Sequence, residues 1–392
     1  MRMSQAIYRK DGGWQNLPDP REWDHPNTLI IAFCARYFLD DHKPIEELAR
    51  QFPKSAMAGC STSGEIQGDE ISDFSIVVSF VHFENGTVRV ANLPIENVQM
   101  SARVGFDLAR QINGPNLKGV SIFSDGLNAN GSKLIDGFNE GMEDKSVVIG
   151  GGLAGDGNDF QRTFTVFNGK VYANHVCAVG FYGETMEVVS ESRGVCDIFG
   201  PERVVTRSQG NVVFEIDGRP ALDLYKEYLG EKASELPASG LFFPLQVSPA
   251  DDSEKKLVRT MLAVDEDAKS ITFAGDVPQG WNAQLMRANF ERVIDGAGKA
   301  AQVAVDRVPK EDDSVLVIAV SCVGRRLVLG ERTIEEVEAI GESLPKGSQV
   351  IGFYSYGELS PSQAGKSCEL HNQTMTVLMI RERKQESMRS AA

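Results

Sequence analysis

What is scarce in this sequence narrows its chemistry first. Histidine occurs 5 times and cysteine 6 times in 392 residues, and both are scattered. Cys34, Cys60, Cys177, Cys196, Cys322 and Cys368 form no CxxC pair, and no two histidines stand at HExxH spacing. Neither a protein-built zinc site nor a disulfide framework is expected, and the thiols read as reduced, which fits the cytoplasm. No apolar run approaches the roughly 20 residues of a membrane helix. The opening "MRMSQAIYRKDGGWQNLPDP" lacks the apolar core of a secretory signal. Positive charge is also short: 40 Lys and Arg stand against 55 Asp and Glu, a formal net charge of −15. Such a surface repels phosphate backbones and anionic lipid, so neither nucleic acid nor a membrane is an expected partner.

What is present suits a folded protein with well-formed cores: 42% of residues are hydrophobic and 24% charged. The length exceeds one ordinary core, and Gly and Pro break the pattern in "CDIFGPERVVTRSQGNVVFE". Two domains are expected, over residues 1–205 and 206–392. Within them one plan occurs three times: buried strand, helix, second buried strand, glycine-framed loop. It runs through "TLIIAFCARYF" to "SAMAGCSTSGEI", through "GVSIFSDGLNANG" to "SVVIGGGLAGDG", and through "SVLVIAVSC" to "SQVIGFYSYGEL". Short β-branched runs around an amphipathic segment make a βαβ unit with a parallel crossover. Asn85-Gly86 and Asn168-Gly169 each predict a β-hairpin. The fold class expected is α/β: repeated βαβ units, mixed sheets with extra antiparallel hairpins, and two related halves. "NAQLMRANFERVIDGAGKAAQVAV" reads as the longest helix, and the tail "RERKQESMRSAA" as frayed.

The three loops are the candidate site. Each sets two glycines around four residues and ends on a carboxylate: Gly59 to Gly64 and Glu65, Gly150 to Gly155 and Asp156, Gly352 to Gly357 and Glu358. Ligands of open α/β sheets bind at the carboxyl ends of strands, where these loops lie. Ligand contacts are therefore expected from Cys60, Ser61, Ser63, Gly64 and Glu65, from Gly152, Gly155 and Asp156, and from Tyr354, Ser355, Tyr356 and Glu358. Ser124, Asp125 and Asn128 of "FSDGLNANG" join them, with His371 of "LHNQT". The plainer reading is that the loops are only duplicated connectors. "GGGLAG" matches GxGxxG, but no helix follows to hold a pyrophosphate. Cys60 has no histidine partner in an ordered triad, and two of the three loops lack cysteine altogether, so an enzyme using Cys60 or Ser61 is the weaker alternative.

The stretches "SDGLNANGSKLIDGFNEGM", "VVIGGGLAGDG", "FEIDGRPALDLY", "GFYSYGELSP" and "LHNQTMTVL" resemble the FIST family, the first two its N-terminal domain and the others its C-terminal domain. The resemblance implies a cytoplasmic sensory module without catalysis. Its ligand would be an amino-acid-like metabolite, or haem b sensing nitric oxide. Its partner would be a separate signalling protein, a histidine kinase or a diguanylate cyclase. Haem would need an axial ligand in an apolar pocket, for which His175 and His371 are the candidates. A ligand-free scaffold is the remaining alternative.

Overall fold

The computed structural model describes residues 1–194, 196–252, 254–308 and 314–383; of the tail read as frayed, Arg381 and Glu382 are instead buried in the last strand, and the residues beyond 383 lie outside the described ones. The protein is a mixed α/β fold in which one order of elements occurs three times. In the first repeat, strand Arg2–Arg9 precedes the parallel pair Thr28–Ala35 and Ala56–Thr62. A hairpin, Glu65–Gln67 and Glu70–Ser72, follows, and Ser75–His82 closes the repeat. The second repeat uses Thr87–Pro94, then Leu117–Ser124 with Val148–Leu153, the hairpin Thr165–Phe167 and Lys170–Tyr172, and His175–Tyr182. The third uses Met186–Gly194, then Leu316–Cys322 with Gln349–Ser355, the hairpin Gly357–Pro361 and Cys368–His371, and Thr374–Glu382.

No repeat keeps its own hairpin. The first repeat's hairpin pairs with Gln349–Ser355 of the third. The second's pairs with Ala56–Thr62 of the first, and the third's with Val148–Leu153 of the second. Three mixed sheets are thereby locked into a ring. Their inner faces share one core, in which Phe33, Phe123 and Phe353 come from three different sheets. Their ring centroids lie 5.4 Å (Phe33 to Phe123), 4.6 Å (Phe33 to Phe353) and 6.2 Å (Phe123 to Phe353) apart. The outer faces are covered by helices whose apolar spacing was legible: Ile45 and Leu48, Leu134 and Phe138, Val337 and Ile340 are all buried.

The repeat is interrupted once. After Gly194 the chain builds a separate antiparallel sheet from Cys196–Ile198 to Asn282–Ala288, with its own core, before helix Phe290–Asp306 returns it to the third repeat. The division at 205/206 falls inside a strand of this inserted sheet, Arg203–Gln209. The two halves of the chain are interwoven through the exchanged hairpins.

Two local expectations need correction. The strands flanking Asn85-Gly86 do not pair: Ser75–His82 lies between Arg2–Arg9 and Thr28–Ala35, whereas Thr87–Pro94 pairs with His175–Tyr182. The turn joins two repeats instead. Its amides of Glu84, Asn85 and Gly86 donate to the Glu382 carboxylate at 2.8, 2.6 and 2.5 Å. The hairpin at Asn168-Gly169 does form, with both residues at positive φ. The stretch read as the longest helix is strand over Asn282–Ala288 and helix only from Phe290, because Asn289 caps the helix by accepting from the Arg292 amide.

Glycine is required where the parallel strands touch. A Cβ on Gly59 would stand 1.7 Å from the carbonyl oxygen of Ala32, and one on Gly352 2.0 Å from that of Ala319. Register makes Gly151, and not Gly150, their counterpart: it pairs with Ile122, and its Cβ would meet that carbonyl oxygen at 2.0 Å. The closing glycines differ among themselves. Gly64 has φ +134, whereas a Cβ on Gly155 would collide with Ser63 and one on Gly357 with Leu370. Gly59→Ala and Gly352→Ala should each lower unfolding stability by about 1–3 kcal/mol in urea titrations, as backbone overpacking does. Gly341→Ala is the control: it lies in helix Thr333–Glu342 with nothing near its Cβ, and should gain about 0.5–1 kcal/mol.

Candidate functional site

The glycine-framed loops meet where the hairpins cross from sheet to sheet, and their backbones bond one another. Ser63 N–H donates to Tyr354 O and Tyr354 N–H to Gly64 O. Tyr356 N–H donates to Leu153 O, and Gly155 N–H to Ser61 O. The small side chains expected to face a ligand are enclosed here. Ser61 is fully buried, and its Oγ accepts from Phe164 N–H. Cys60 is fully buried beside Cys34 and Cys177, and burial pushes its thiol well above the usual range. Gly152 packs under Val320, and Ser63 Oγ bonds the backbone of Gly157.

The carboxylates are also committed to the protein. Glu65 accepts from the hydroxyls of Thr62 and Ser75 and from Ser75 N–H. Glu358 repeats the arrangement with Ser355, Thr374 Oγ1 and Thr374 N–H. Asp125 accepts from Leu127 N–H, Asn128 N–H and the Thr163 hydroxyl. Ser124 is buried, with its hydroxyl on Asp125 O. Tyr354 donates to Glu336, which also holds buried Arg325. These carboxylates and hydroxyls pin strand ends, and none of them lines the cavity beside the junction.

A cavity of about 760 Å³ opens beside this junction, between the inserted sheet and the second and third repeats. The ring supplies Leu127, Asn130, Phe160, Cys322, Tyr356 and Asn372, and the insert supplies Asn211, Phe242, Thr260, Met261, Phe273 and Asp276. Among the residues expected from sequence, Tyr356 alone lines it. Asp156 acts from behind. It accepts from the Tyr356 hydroxyl and from the amides of Phe160, Gln161 and Arg162 at 2.9, 2.8 and 2.8 Å. That carboxylate holds the loop carrying Phe160, whose ring stacks on Tyr356 at 4.5 Å. Phe160 sits at φ 50, a left-handed conformation that a bulky residue adopts only when its surroundings fix it. Asn130 caps helix Gly131–Gly141 and also donates to Asp276 of the insert at 3.0 Å. The insert's residues went unnoticed in the sequence because they follow no motif. The one available signal was "FAGDVPQG", a glycine and a carboxylate directly after a strand.

Neither candidate haem ligand reaches the cavity. His371 is buried with Nε2 on Ser360 O at 3.0 Å, and burial pulls its pKa down. His175 Nδ1 lies 2.8 Å from Ala173 O, with its ring against Tyr172. The lining thiol, Cys322, is held in its protonated form by burial and by nearby Glu358. The residues present therefore do not fit a histidine-ligated haem. Among the described residues no group of three or more His, Cys, Asp or Glu is placed to hold a metal ion, and no helix is long and apolar enough to cross a membrane.

The FIST N domain model matches residues 28–219 and the FIST C domain model residues 221–361, together spanning most of the ring and the insert. The chain belongs to the FIST family. FIST domains are generally sensory or signalling domains. The chain is also similar to an uncharacterized protein of Methanocaldococcus jannaschii, at 22% identity over 372 residues, covering 84% of this chain and 69% of the relative. In this FIST protein the N-domain match ends and the C-domain match begins inside the inserted sheet. The cavity is consequently lined by residues from both matches.

Burial raises the carboxyls of Glu65 and Glu358 from 4.5 to about 8, against the opposing effect of their hydrogen bonds. Between those values the folded state holds protons that the unfolded state has released. The resulting stability is full below pH 4.5 and is lost as pH rises toward 8. The Glu65→Gln/Glu358→Gln variant should therefore lose less melting temperature between pH 5 and pH 8 than the unaltered protein. Parallel curves over that range would rule the effect out.

Proposed function

We propose that the protein is a non-catalytic cytoplasmic sensor that binds a small molecule in the cavity between the insert and the ring. It passes occupancy to a separate signalling protein, a histidine kinase or a diguanylate cyclase. The observation that carries this reading is the composition of the cavity wall. Two independently packed bodies share it, so a ligand that touches both favours one seating of the insert over others, and only such differential contact can shift an equilibrium. Family membership supports a sensory role, and the volume suits a metabolite.

A thermal-shift screen of metabolites against the full chain tests this reading. A cavity ligand at 100 times its Kd should stabilise the protein by about 2.7 kcal/mol, and the gain should vanish in Leu241→Trp and Ala274→Phe, which fill the cavity from the insert. A ligand whose effect survives both variants would place the site elsewhere.

The enzymatic alternative needs Cys60 or Ser61 as its nucleophile, and the full burial of both argues against it. Iodoacetamide at pH 8 should label half-buried Cys196 well ahead of Cys60, as peptide mapping would show. Equal labelling would revive a reactive Cys60.

A further inference from the structure

The charge of the cavity wall restricts what can bind. Among the described residues that line it, none is Lys, Arg or His, and Asp276 is the one carboxylate. Asp276 Oδ1 accepts from Asn130, and Oδ2 lies 3.5 Å from Lys133 Nζ, whose side chain is 55% exposed outside the wall. Buried Arg259, next to Thr260, is bonded to backbone: Nε donates to Asp276 O at 2.9 Å, and Nη1 to Val258 O and Leu370 O at 3.2 and 3.0 Å. Two helices begin at the wall, Gly131–Gly141 and Val323–Leu329. A helix end supplies only about half a charge, and Asn130 already satisfies one amide of the first. An anion entering here would lose its water beside Asp276 and gain no full positive charge in return, which is strongly unfavourable.

Apolar contact is plentiful. Val98, Phe160, Leu262 and Leu327 line the cavity while remaining 43%, 47%, 44% and 38% exposed, so four large apolar side chains from separate segments surround it with surface left unburied. Deeper in, Thr260 Oγ1 has no hydrogen-bond partner among the described residues, although the residue is only 4% exposed. Such a hydroxyl favours a polar group that can complete its bonding.

We propose that this cavity is selective for an apolar compound bearing an amine or amide nitrogen, directed at Asp276 and Thr260, with its hydrocarbon or aromatic part among the four exposed apolar residues. Carboxylates, phosphates, free amino acids and porphyrin propionates are disfavoured by the same wall. The proposal rests on the cavity being the ligand site.

Three probes that share a skeleton and differ at one end test it: 4-phenylbutylamine, 4-phenylbutanamide and 4-phenylbutanoate, titrated calorimetrically into the full chain. The amine and the amide should each bind at least about 10-fold more tightly than the carboxylate, a difference of about 1.4 kcal/mol. Asp276→Asn keeps a carboxamide oxygen for Asn130, and should weaken the amine most, the amide less and the carboxylate least, so that the amine's advantage over the amide is lost. Equal or tighter binding of the carboxylate would overturn the proposal, and so would binding by none of the three. Carboxylate binding that is lost in Leu241→Trp would sink the charge argument but keep the cavity as the site. Amine binding that persists in both Leu241→Trp and Ala274→Phe would refute the site itself.

Discussion

The constraint on which this structure depends is the passage of three chain segments through one crowded junction. Each repeat ends its second parallel strand, crosses to a neighbouring sheet and pairs there as a hairpin. The crossing backbones cannot reach water, so they must bond each other, and they do so from repeat to repeat. An unmet buried amide or carbonyl costs about 1–3 kcal/mol, and a net hydrogen bond returns only about 0.5–1.5. The junction is therefore specified more by what it forbids than by what each bond adds. Side chains at Gly59, Gly151 and Gly352 are forbidden by carbonyl oxygens on the adjacent strand. Glu65 and Glu358 complete the bonding, each collecting two hydroxyls and an amide at equivalent corners.

This explains which parts of the molecule the sequence disclosed. The βαβ units were legible because a strand buried on both faces and an amphipathic crossover both leave local periodicity. The glycine loops were legible because steric exclusion leaves glycine wherever it acts. The exchange of hairpins was not legible. Asn85-Gly86 carries the local signature of a tight turn, and that signature reports backbone conformation, not whether the flanking strands pair. Here they are claimed by different sheets, and Glu382, nearly three hundred residues away, binds the turn. The hydroxyls and carboxylates of "GCSTSGEI" looked like ligand contacts for a related reason. Groups that satisfy a buried junction and groups that receive a ligand are the same residue types at the same strand ends.

The cavity was hidden more deeply, since half its wall belongs to a sheet inserted into the third repeat. Thr260, Phe273 and Asp276 follow no repeat and no motif, and only the tertiary fold brings them opposite Asn130 and Tyr356. What the sequence did offer was Tyr356 in the wall and Asp156 behind it, whose role is indirect. It holds the loop of Phe160 and the hydroxyl of Tyr356 instead of contacting the cavity itself.

Tyr356 therefore belongs to both regions. Its amide bonds Leu153 within the junction, its hydroxyl meets Asp156, and its ring forms part of the cavity wall under Phe160. The ring of sheets is interlocked by exchanged strands. The insert joins it through side-chain bonds such as Asn130 to Asp276 and Arg259 to Leu370. A ligand bound as proposed would touch both bodies at once. Its binding would bias the seating of the insert only by as much as its contacts differ between one seating and another, while the junction resists any change that breaks bonds among all three repeats.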